Sequence, residues 1–354
     1  MPNKYKSKTP SLFAILNKIL EIRTHEDVAD KLNVTVGAVK RWCKTKNVPK
    51  QYTFELMELA NLRINYSKFT FKEKDQFFTP AETGKYCYNK VLEILESYKD
   101  KCEYIYIEPS AGNGSFLESL PENKRIGLDI EPRNKEILKT NFLDWRPKTS
   151  GDFIVIGNPP FGLRGHLALK FINHSYKFAK YVCFILPQLF ASDGKGVPRK
   201  RVKGYNLIHN EKLSVNFKDP GNKTIKIECV FQIWSKDHKN KRYDIRVVDT
   251  SDVNVYSLSD GGTPSSTRNK KMLYRCDVYL PSTCFGKENM RYYDNFQELP
   301  QKRGYGITFI TNKQNFLKKF KKIAWSDVAF LSTNGAYNIR MSQIKKQLVK
   351  DNLP

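Results

Sequence analysis

The sequence lacks the cysteine and histidine patterns of metal-binding and disulfide-linked proteins. Its seven cysteines contain no Cys-x-x-Cys pair, and its five histidines show no metal-ligand spacing. These absences argue against a zinc site and against a disulfide framework. An odd number of cysteines is typical of proteins in a reducing compartment, so an intracellular protein of the cytoplasm or the nucleus is expected. The cysteines themselves are interpreted as buried apolar residues.

Long apolar segments are absent as well. No run approaches the ~18 apolar residues of a membrane-spanning helix. The apolar residues 12–16 are followed by Asn17 and Lys18, so this run is too short for a signal peptide. The sequence also has no internal repeat and no coiled-coil heptads. We expect no membrane segment.

Acidic residues are scarce relative to basic ones. The 354 residues contain 61 Lys and Arg but only 36 Asp and Glu, which gives a net charge of +25. Such an excess of positive charge predicts a polyanionic partner, and nucleic acid is the partner that we expect. An acidic membrane surface is the competing interpretation. The length allows two or three domains.

Two apolar runs, each followed by a polar loop, organise residues 103–162. Residues 104–107 precede the loop Glu-Pro-Ser-Ala-Gly-Asn-Gly at 108–114, and residues 153–156 precede Asn-Pro-Pro-Phe at 158–161. Short β-rich runs bounded by Gly or Pro are typical of buried parallel strands. Ligands bind outside the carboxyl ends of such strands, so both loops should face one crevice.

The first loop predicts a cofactor site. No Gly-Lys-Ser/Thr sequence follows it, which argues against a triphosphate cradle. Acidic Glu108 suits a cofactor with a cationic amino-acid end, such as S-adenosylmethionine. A second strand, residues 125–128, ends in Asp129, where a carboxylate would bind the two hydroxyls of a ribose. The predicted cofactor residues of this region are Glu108, Pro109, Ala111, Gly112, Gly114, Asp129 and Ile130.

With these motifs in this order, residues 75–234 resemble a class I S-adenosylmethionine-dependent adenine-N6 methyltransferase of the DNA-modification type. The resemblance implies that Phe78, Thr79 and Pro80 belong to a segment that closes over the methionine end of the cofactor. Asn141 and Phe142 lie where the family usually has Asp-Phe-Leu, whose acid contacts the cofactor adenine and whose Phe packs on it. Asn141 departs from this pattern, which leaves open whether its amide or Asp144 makes the contact.

The second loop suits the reaction that the resemblance implies. An adenine amine is a poor nucleophile because its lone pair is delocalised into the ring. The Asn158 side-chain oxygen and the Pro159 carbonyl could each accept one amine hydrogen, and Pro160 helps to fix the backbone that aims them. Phe161 offers a ring on which an extruded base can stack. The predicted catalytic residues are thus Asn158, Pro159, Pro160 and Phe161.

The N-terminal residues 24–50 predict two helices, 26–32 and 36–44, around a turn at 33–35. Their buried positions would be Val28, Leu32, Val34, Val39 and Trp42. The pattern resembles the helix-turn-helix of phage-repressor-type DNA-binding domains. The residues suited to a major groove or its phosphates are Thr35, Gly37, Lys40, Arg41 and Lys44. The alternative is a module that only packs against the catalytic domain or a second subunit.

Two further segments are candidates for nucleic-acid contact. Five cations lie within nine residues without an acid: Lys195, Arg199, Lys200, Arg201 and Lys203. They suggest either a basic flap that meets phosphates or a solvated mobile loop. Residues 213–217 and 225–234 predict a hairpin at the sheet edge. Within this hairpin, Phe217 lies where the methyltransferase family often has an aromatic residue beside the flipped base. The competing interpretation is that Phe217 is a core residue.

The fold class predicted is α/β, a doubly wound Rossmann-like methyltransferase sheet with a small all-α N-terminal domain and an α+β C-terminal extension. The expected domains are 1–64 for DNA binding, a linker at 65–74, 75–240 for catalysis and a basic extension at 241–354, whose position suggests target recognition. The extension should contain strands near 272–280 and 305–311, helices at 316–323 and 341–350, and a flexible connection at 257–271.

The predicted reaction is methyl transfer from S-adenosylmethionine to adenine N6 in DNA. RNA is the first alternative substrate, because Asn-Pro-Pro-Phe also occurs in RNA enzymes. Methylation of a glutamine side-chain amide is chemically close, but the charge of +25 argues against it. A non-catalytic DNA-binding protein that keeps a methyltransferase fold is the last alternative, and intact Asn158 and Gly112 count against it.

Overall fold

The computed structural model describes residues 11–32, 34–66, 69–70, 73–192, 197–243, 250–332 and 335–351. The chain divides into two compact units, Met1–Gln76 and Phe77–Pro354. The domain boundaries expected at residues 64, 74 and 240 stay predictions. Within the described residues, no helix combines the length and the apolar composition needed to cross a bilayer.

The described residues of the first unit form four α-helices. They are α1 (Leu12–Leu20), α2 (His25–Lys31), α3 (Val36–Thr45) and α4 (Thr53–Leu59). Thr24 and Thr35 cap α2 and α3, because each hydroxyl accepts a hydrogen bond from a backbone N–H three residues on. Both helices predicted for this region are thereby confirmed.

Burial in this unit follows the predicted pattern. Val28, Leu32, Val39 and Trp42 are buried and Val34 is half-buried. All five predicted outward residues are exposed: Thr35, Gly37, Lys40, Arg41 and Lys44. Asn33, the predicted turn residue, lies outside the described residues. Contact with DNA stays a prediction for this module.

The second unit is built on a seven-stranded sheet. Its strands are β1 (Tyr104–Glu108), β2 (Arg125–Asp129), β3 (Ile137–Lys139), β4 (Asp152–Gly157), β5 (Ala179–Pro187), β6 (Asn206–Lys218) and β7 (Thr224–Ser235). They lie in the order β3-β2-β1-β4-β5-β7-β6. The first five are parallel, whereas β7 runs antiparallel to β5 and forms the predicted hairpin with β6.

Alternation along the strands gives the sheet two apolar faces. On β1, Tyr104 and Tyr106 join the core beneath α5 (Ala81–Ser97), whereas Ile105 and Ile107 face the core beneath α6 (His166–Ser175). Side chains of successive strand residues point to opposite faces, so each face needs its own helix to exclude water. The sheet is therefore doubly wound and Rossmann-like, with the strand order of methyltransferase sheets, as predicted.

In the C-terminal part, the described residues form two small antiparallel sheets and three α-helices around their own apolar cluster. One sheet has the order β8-β11-β9, formed by Val253–Ser259, Arg303–Phe309 and Val278–Pro281. The other has the order β10-β13-β12, formed by Thr283–Phe285, Ala336–Asn338 and Phe330–Leu331. The helices are α7 (Lys313–Lys321), α8 (Trp325–Val328) and α9 (Met341–Lys350).

The prediction for this part was right for its last helix and wrong in two details. The strand expected from residue 272 begins at Val278, because Lys270–Met272 forms a 3-10 turn after left-handed Asn269. The flexible connection expected at 257–271 is paired at its start. Residues 257–259 belong to β8, and Ser259 and Arg268 exchange two backbone hydrogen bonds.

Candidate active site

The two predicted loops meet at the carboxyl edge of the sheet. They follow β1 and β4, which are neighbouring parallel strands. The Ser110 hydroxyl of the first loop donates a hydrogen bond to the Asn158 carbonyl of the second at 3.1 Å. The parallel register places the loops side by side, and this hydrogen bond fixes one to the other.

The first loop is anchored to the end of β2. The Gly112 N–H donates to the Asp129 carboxylate at 2.8 Å, and the Gly112 carbonyl accepts from the Arg133 N–H at 2.9 Å. Burial raises the pKa of Asp129, although hydrogen bonds from the Glu131 and Gly112 amides oppose the rise. Each carboxylate oxygen keeps a further lone pair, so Asp129 can still accept from a ligand hydroxyl.

Glu108 ends β1 as a buried carboxyl group. It is only 2% exposed, and its Oε2 has no hydrogen-bond partner among the described residues. Burial, and then repulsion from Asp129, raise its pKa well above the ordinary range. Gly157 leaves room for it, because a Cβ atom there would lie 3.0 Å from Glu108 Cγ. A hydrogen bond from the Leu117 backbone N–H opposes this rise, but one buried oxygen stays unpaired. A buried oxygen without a partner opposes folding and is typical of functional sites.

Asn158 presents a second unpaired acceptor. Its Oδ1 is inaccessible to solvent and has no hydrogen-bond partner within the described part of the chain. Pro159 is buried, whereas Pro160 and Phe161 are half-buried. The Phe161 ring packs against the core beneath α5, and its carbonyl accepts from the Ala168 N–H of α6. The loop is thus held by a strand on one side and by a helix on the other.

The segment before α5 lies across the first loop. Phe78 and Lys218 exchange two backbone hydrogen bonds, of 2.7 and 3.0 Å, and the Ser115 hydroxyl donates to the Thr79 carbonyl at 2.7 Å. The Phe78 ring lies close to Gly112, and the Arg133 guanidinium is 5.1 Å from the centroid of the same ring. A Cβ atom on Gly112 would approach that ring to 3.0 Å. Gly112 thus makes room for Phe78, a reason that the sequence did not show.

The remaining predicted cofactor residues divide into exposed and buried ones. Ile130 is 38% exposed. The Asn141 amide donates to the Asp144 carboxylate at 2.8 Å, so the two candidates for the adenine contact form one bonded pair. Phe142 is 1% exposed and packs on Phe171 at 5.0 Å between ring centroids. The predicted packing of Phe142 on the cofactor is therefore corrected, because its ring supports this segment from inside the core.

Phe217 also requires a correction. It is 1% exposed and belongs to the core beneath α5. A ring without accessible surface cannot stack on a base, so its proposed contact with nucleic acid is wrong. The core interpretation is confirmed.

The basic segment is anchored rather than loose. Arg199 donates to the Tyr243 carbonyl and is half-buried, and burial lowers the pKa of half-buried Arg201. The Asn173 side chain of α6 binds the backbone of Arg201 and of Lys203, at 3.2 and 2.9 Å. Of the five cations of this segment, Lys200 and Lys203 are exposed, and Lys195 lies outside the described residues.

Sequence reasoning did not identify Ser110, Arg133 and Gly157 as site residues. Ser110 stands inside the motif and Gly157 directly precedes Asn158, so position alone could have indicated both. Arg133 gave no signal, because its role depends on a contact with Phe78, 55 positions earlier in the chain.

Comparisons with known proteins give weak structural likenesses. No protein-family model and no curated protein sequence matches the chain. A proposed RNA methyltransferase of Pyrococcus horikoshii is 18% identical, over 46% of this chain and 86% of its own, with a TM-score of 0.34. A proposed class I S-adenosylmethionine-dependent methyltransferase of Listeria monocytogenes is 16% identical, over 64% and 87%, with a TM-score of 0.34.

A third solved structure, an S-adenosylmethionine-dependent methyltransferase of Anabaena variabilis, is 11% identical, over 44% of this chain and 96% of its own, with a TM-score of 0.28. Likenesses of this size do not show what the present chain acts on. The fold assignment stands on the strand order of the sheet itself.

Proposed function

We propose that this protein transfers a methyl group from S-adenosylmethionine to the N6 amine of a flipped adenine in DNA. One observation carries the proposal. The Asn158 Oδ1 is a buried acceptor without a partner in the described residues, and it stands in an Asn-Pro-Pro-Phe loop bonded to the Glu108 loop through Ser110. A buried acceptor that the protein leaves unpaired is costly and points to a ligand donor.

The residues at this edge fit the proposed cofactor. Unpaired Glu108 Oε2 suits the ammonium group of the methionine end, and Asp129 suits the ribose hydroxyls. Exposed Ile130 and the Asn141 amide would contact the adenine, while Phe78 and Thr79 would close over the methionine end. When bound, S-adenosylmethionine would supply an electrophilic methyl group.

The second loop would prepare the nucleophile. Asn158 Oδ1 and the Pro159 carbonyl each accept one hydrogen of the amine, which draws its lone pair out of the ring. The Pro159-Pro160 pair restricts the backbone, so both acceptors stay aimed without reorganisation. Phe161 supports the extruded base. No general base is needed, because the amine becomes acidic only after it has been methylated.

DNA is the proposed substrate because of the N-terminal unit. Its helix α3 exposes Lys40, Arg41 and Lys44, and the whole chain carries a charge of +25. A helix with a basic exposed face suits a major groove and its phosphates.

Incubation of the full chain with methyl-labelled S-adenosylmethionine and either DNA or RNA, followed by nucleoside analysis, tests the proposal. We expect labelled N6-methyldeoxyadenosine. Label found only in the adenosine of RNA would move the substrate to RNA. The absence of labelled adenine from both nucleic acids would overturn the proposed function.

A further inference from the structure

The turn that follows the candidate catalytic loop has an unusual backbone. Three of its four residues have positive φ angles: 63° at Gly162, 53° at Arg164 and 72° at Gly165. Glycine adopts this left-handed region freely, whereas a residue with a side chain is strained there. Arg164 therefore occupies a position that would suit a third glycine.

Packing holds this turn in place. A Cβ atom on Gly162 would lie 2.7 Å from Leu167 Cβ, and one on Gly165 would lie 2.6 Å from Phe190 Cε2. The Gly165 N–H also donates to the Gly162 carbonyl at 3.2 Å. Because α6 and Phe190 fix the residues on both sides, Arg164 cannot relax to a negative φ without displacing the core.

The Arg164 side chain makes no contact that would compensate for this strain. It is exposed, and within the described part of the chain it forms no hydrogen bond, ion pair or ring contact. The anchored basic segment lies beside the turn, because the position of a Gly165 Cβ is 3.4 Å from Pro198. Exposed Lys200 follows two residues after Pro198. An exposed cation thus follows the catalytic loop closely in the chain, on a turn that packs against the basic segment.

We propose that Arg164 is a substrate-binding residue that contacts a backbone phosphate of the target nucleotide. The proposal rests on the proposed function, since it requires a nucleic-acid strand at Phe161. Arg164 is three residues from Phe161, and three residues span at most about 10 Å. A guanidinium binds a phosphate through two parallel hydrogen bonds, and such contacts fix position and register without reading sequence.

A rigid position explains why a strained residue is useful here. The exposed side chain would still lose rotamer freedom on binding a phosphate, but its backbone is already held by the close packing of Gly162 on Leu167 and of Gly165 on Phe190. The phosphate contact would hold the extruded nucleotide while Phe161 supports its base.

Arg164→Gly tests the proposal, and Lys99→Gly is its matched control. Lys99 is also exposed, also has a positive φ of 55°, and precedes β1 at the opposite edge of the sheet. Each change removes one positive charge and relieves one strained residue. Oligonucleotide affinity is measured by fluorescence anisotropy over a range of KCl concentrations, and thermal midpoints confirm that both variants fold.

We expect Arg164→Gly to weaken binding and to reduce the slope of log K against log salt by about 0.9 for duplex DNA or about 0.7 for a single strand. Lys99→Gly should leave the slope of the wild type unchanged. Equal slopes for the wild type and Arg164→Gly would overturn the proposal.

A methylphosphonate at either phosphate flanking the target adenine identifies the contact. This neutral group should weaken binding by the wild type and leave binding by Arg164→Gly unchanged at one of the two positions. Equal losses in both proteins at both positions would contradict the proposal. Binding without methylation would refute the proposed function alone, whereas a wild type that binds no oligonucleotide would refute both.

Discussion

The amino ends and the carboxyl ends of the parallel strands form two edges of the main sheet that differ in the hydrogen bonding of their polar groups. At the amino edge, the Asp100 carboxylate accepts hydrogen bonds from the Tyr104 and Tyr181 hydroxyls at 2.7 and 2.6 Å, and from the Cys102 amide at 3.0 Å. At the carboxyl edge, Glu108 Oε2 and Asn158 Oδ1 have no such partner among the described residues. Tyr104 and Glu108 are the two ends of one strand, β1.

The pKa values of the two carboxyls express this difference. Burial raises the pKa of Asp100, but the hydrogen bonds from Tyr181 and Tyr104 lower it to about 2. Burial and the nearby Asp129 instead raise the pKa of Glu108 well above its ordinary value. The amino edge therefore stabilises the fold, whereas the carboxyl edge carries two buried oxygens whose lack of a partner opposes folding. Under the proposed function, a ligand would pair with them.

The largest effect is expected for Asn158→Ala at the carboxyl edge. The change removes an acceptor that strengthens only as the amine changes geometry, so the methylation rate should fall by about 10²–10³-fold. The affinities for DNA and cofactor should stay near those of the wild type. Single-turnover methylation and binding titrations measure both quantities.

Tyr181→Phe at the amino edge is the comparison for Asn158→Ala. It should lower the free energy of unfolding by about 1–2 kcal/mol, because Asp100 loses a hydrogen bond, and leave the methylation rate unchanged. A large rate loss in Tyr181→Phe, or none in Asn158→Ala, would remove the distinction between the edges.

Gly112→Val should lower cofactor affinity at least tenfold. Its side chain would clash with the Phe78 ring and strain a backbone with a φ of 55°. Gly262→Val is the matched control, because Gly262 has a φ of 76° and no atom within 4 Å of its Cβ position. Calorimetric titration with S-adenosylmethionine should show a loss in the first variant only. Wild-type affinity in Gly112→Val would remove the first loop from the cofactor site.

Asp100→Asn should lower the free energy of unfolding at pH 7 by roughly 2 kcal/mol. The folded pKa of Asp100 is depressed, so its stabilisation is present above pH 4 and is lost as the pH falls toward 2. Urea unfolding of both proteins from pH 7 to pH 2 measures the difference. The two stabilities should converge at low pH, and a difference independent of pH would show that the carboxylate charge is not the cause.

The sequence predicted the elements whose signals are local. Short β-rich apolar runs predicted strands β1 and β4, and the Pro and Gly residues that follow them predicted the two loops. The doubly wound fold was predicted from the resemblance that those loops carry, and the structure supplied the strand order. Residues 341–350 were predicted as a helix and form one, because capping and periodicity agree there.

The incorrect predictions concern contacts between distant residues. Aromatic residues favour both cores and base contacts, and only the packed sheet decides that Phe142 and Phe217 are core residues. The hydrogen bond of Tyr181 to Asp100 joins residues 81 positions apart, and no local pattern indicates it. The strain at Arg164 likewise depends on its neighbours Gly162 and Gly165, which lie close to Leu167 and Phe190.

The smallest expected effect is a gain of stability in Glu108→Gln. The folded pKa of Glu108 is raised, so its contribution is favourable at low pH and is lost as the pH rises above the ordinary value near 4.5. A neutral amide of the same shape should therefore raise the thermal midpoint at pH 7. Each kcal/mol corresponds to about 2–4 °C for a unit of this size, and the gain should vanish below pH 4.

The central claim is that the buried Glu108 carboxyl destabilises the free protein and binds the cofactor. It is tested most directly by the thermal midpoints of the wild type and Glu108→Gln at pH 7, each measured with and without S-adenosylmethionine. Without cofactor, the variant should melt at the higher temperature. With cofactor, the midpoint of the wild type should rise and that of the variant should stay where it was. A variant that melts lower than the wild type without cofactor, or that gains as much from the cofactor, would contradict this account of the edge.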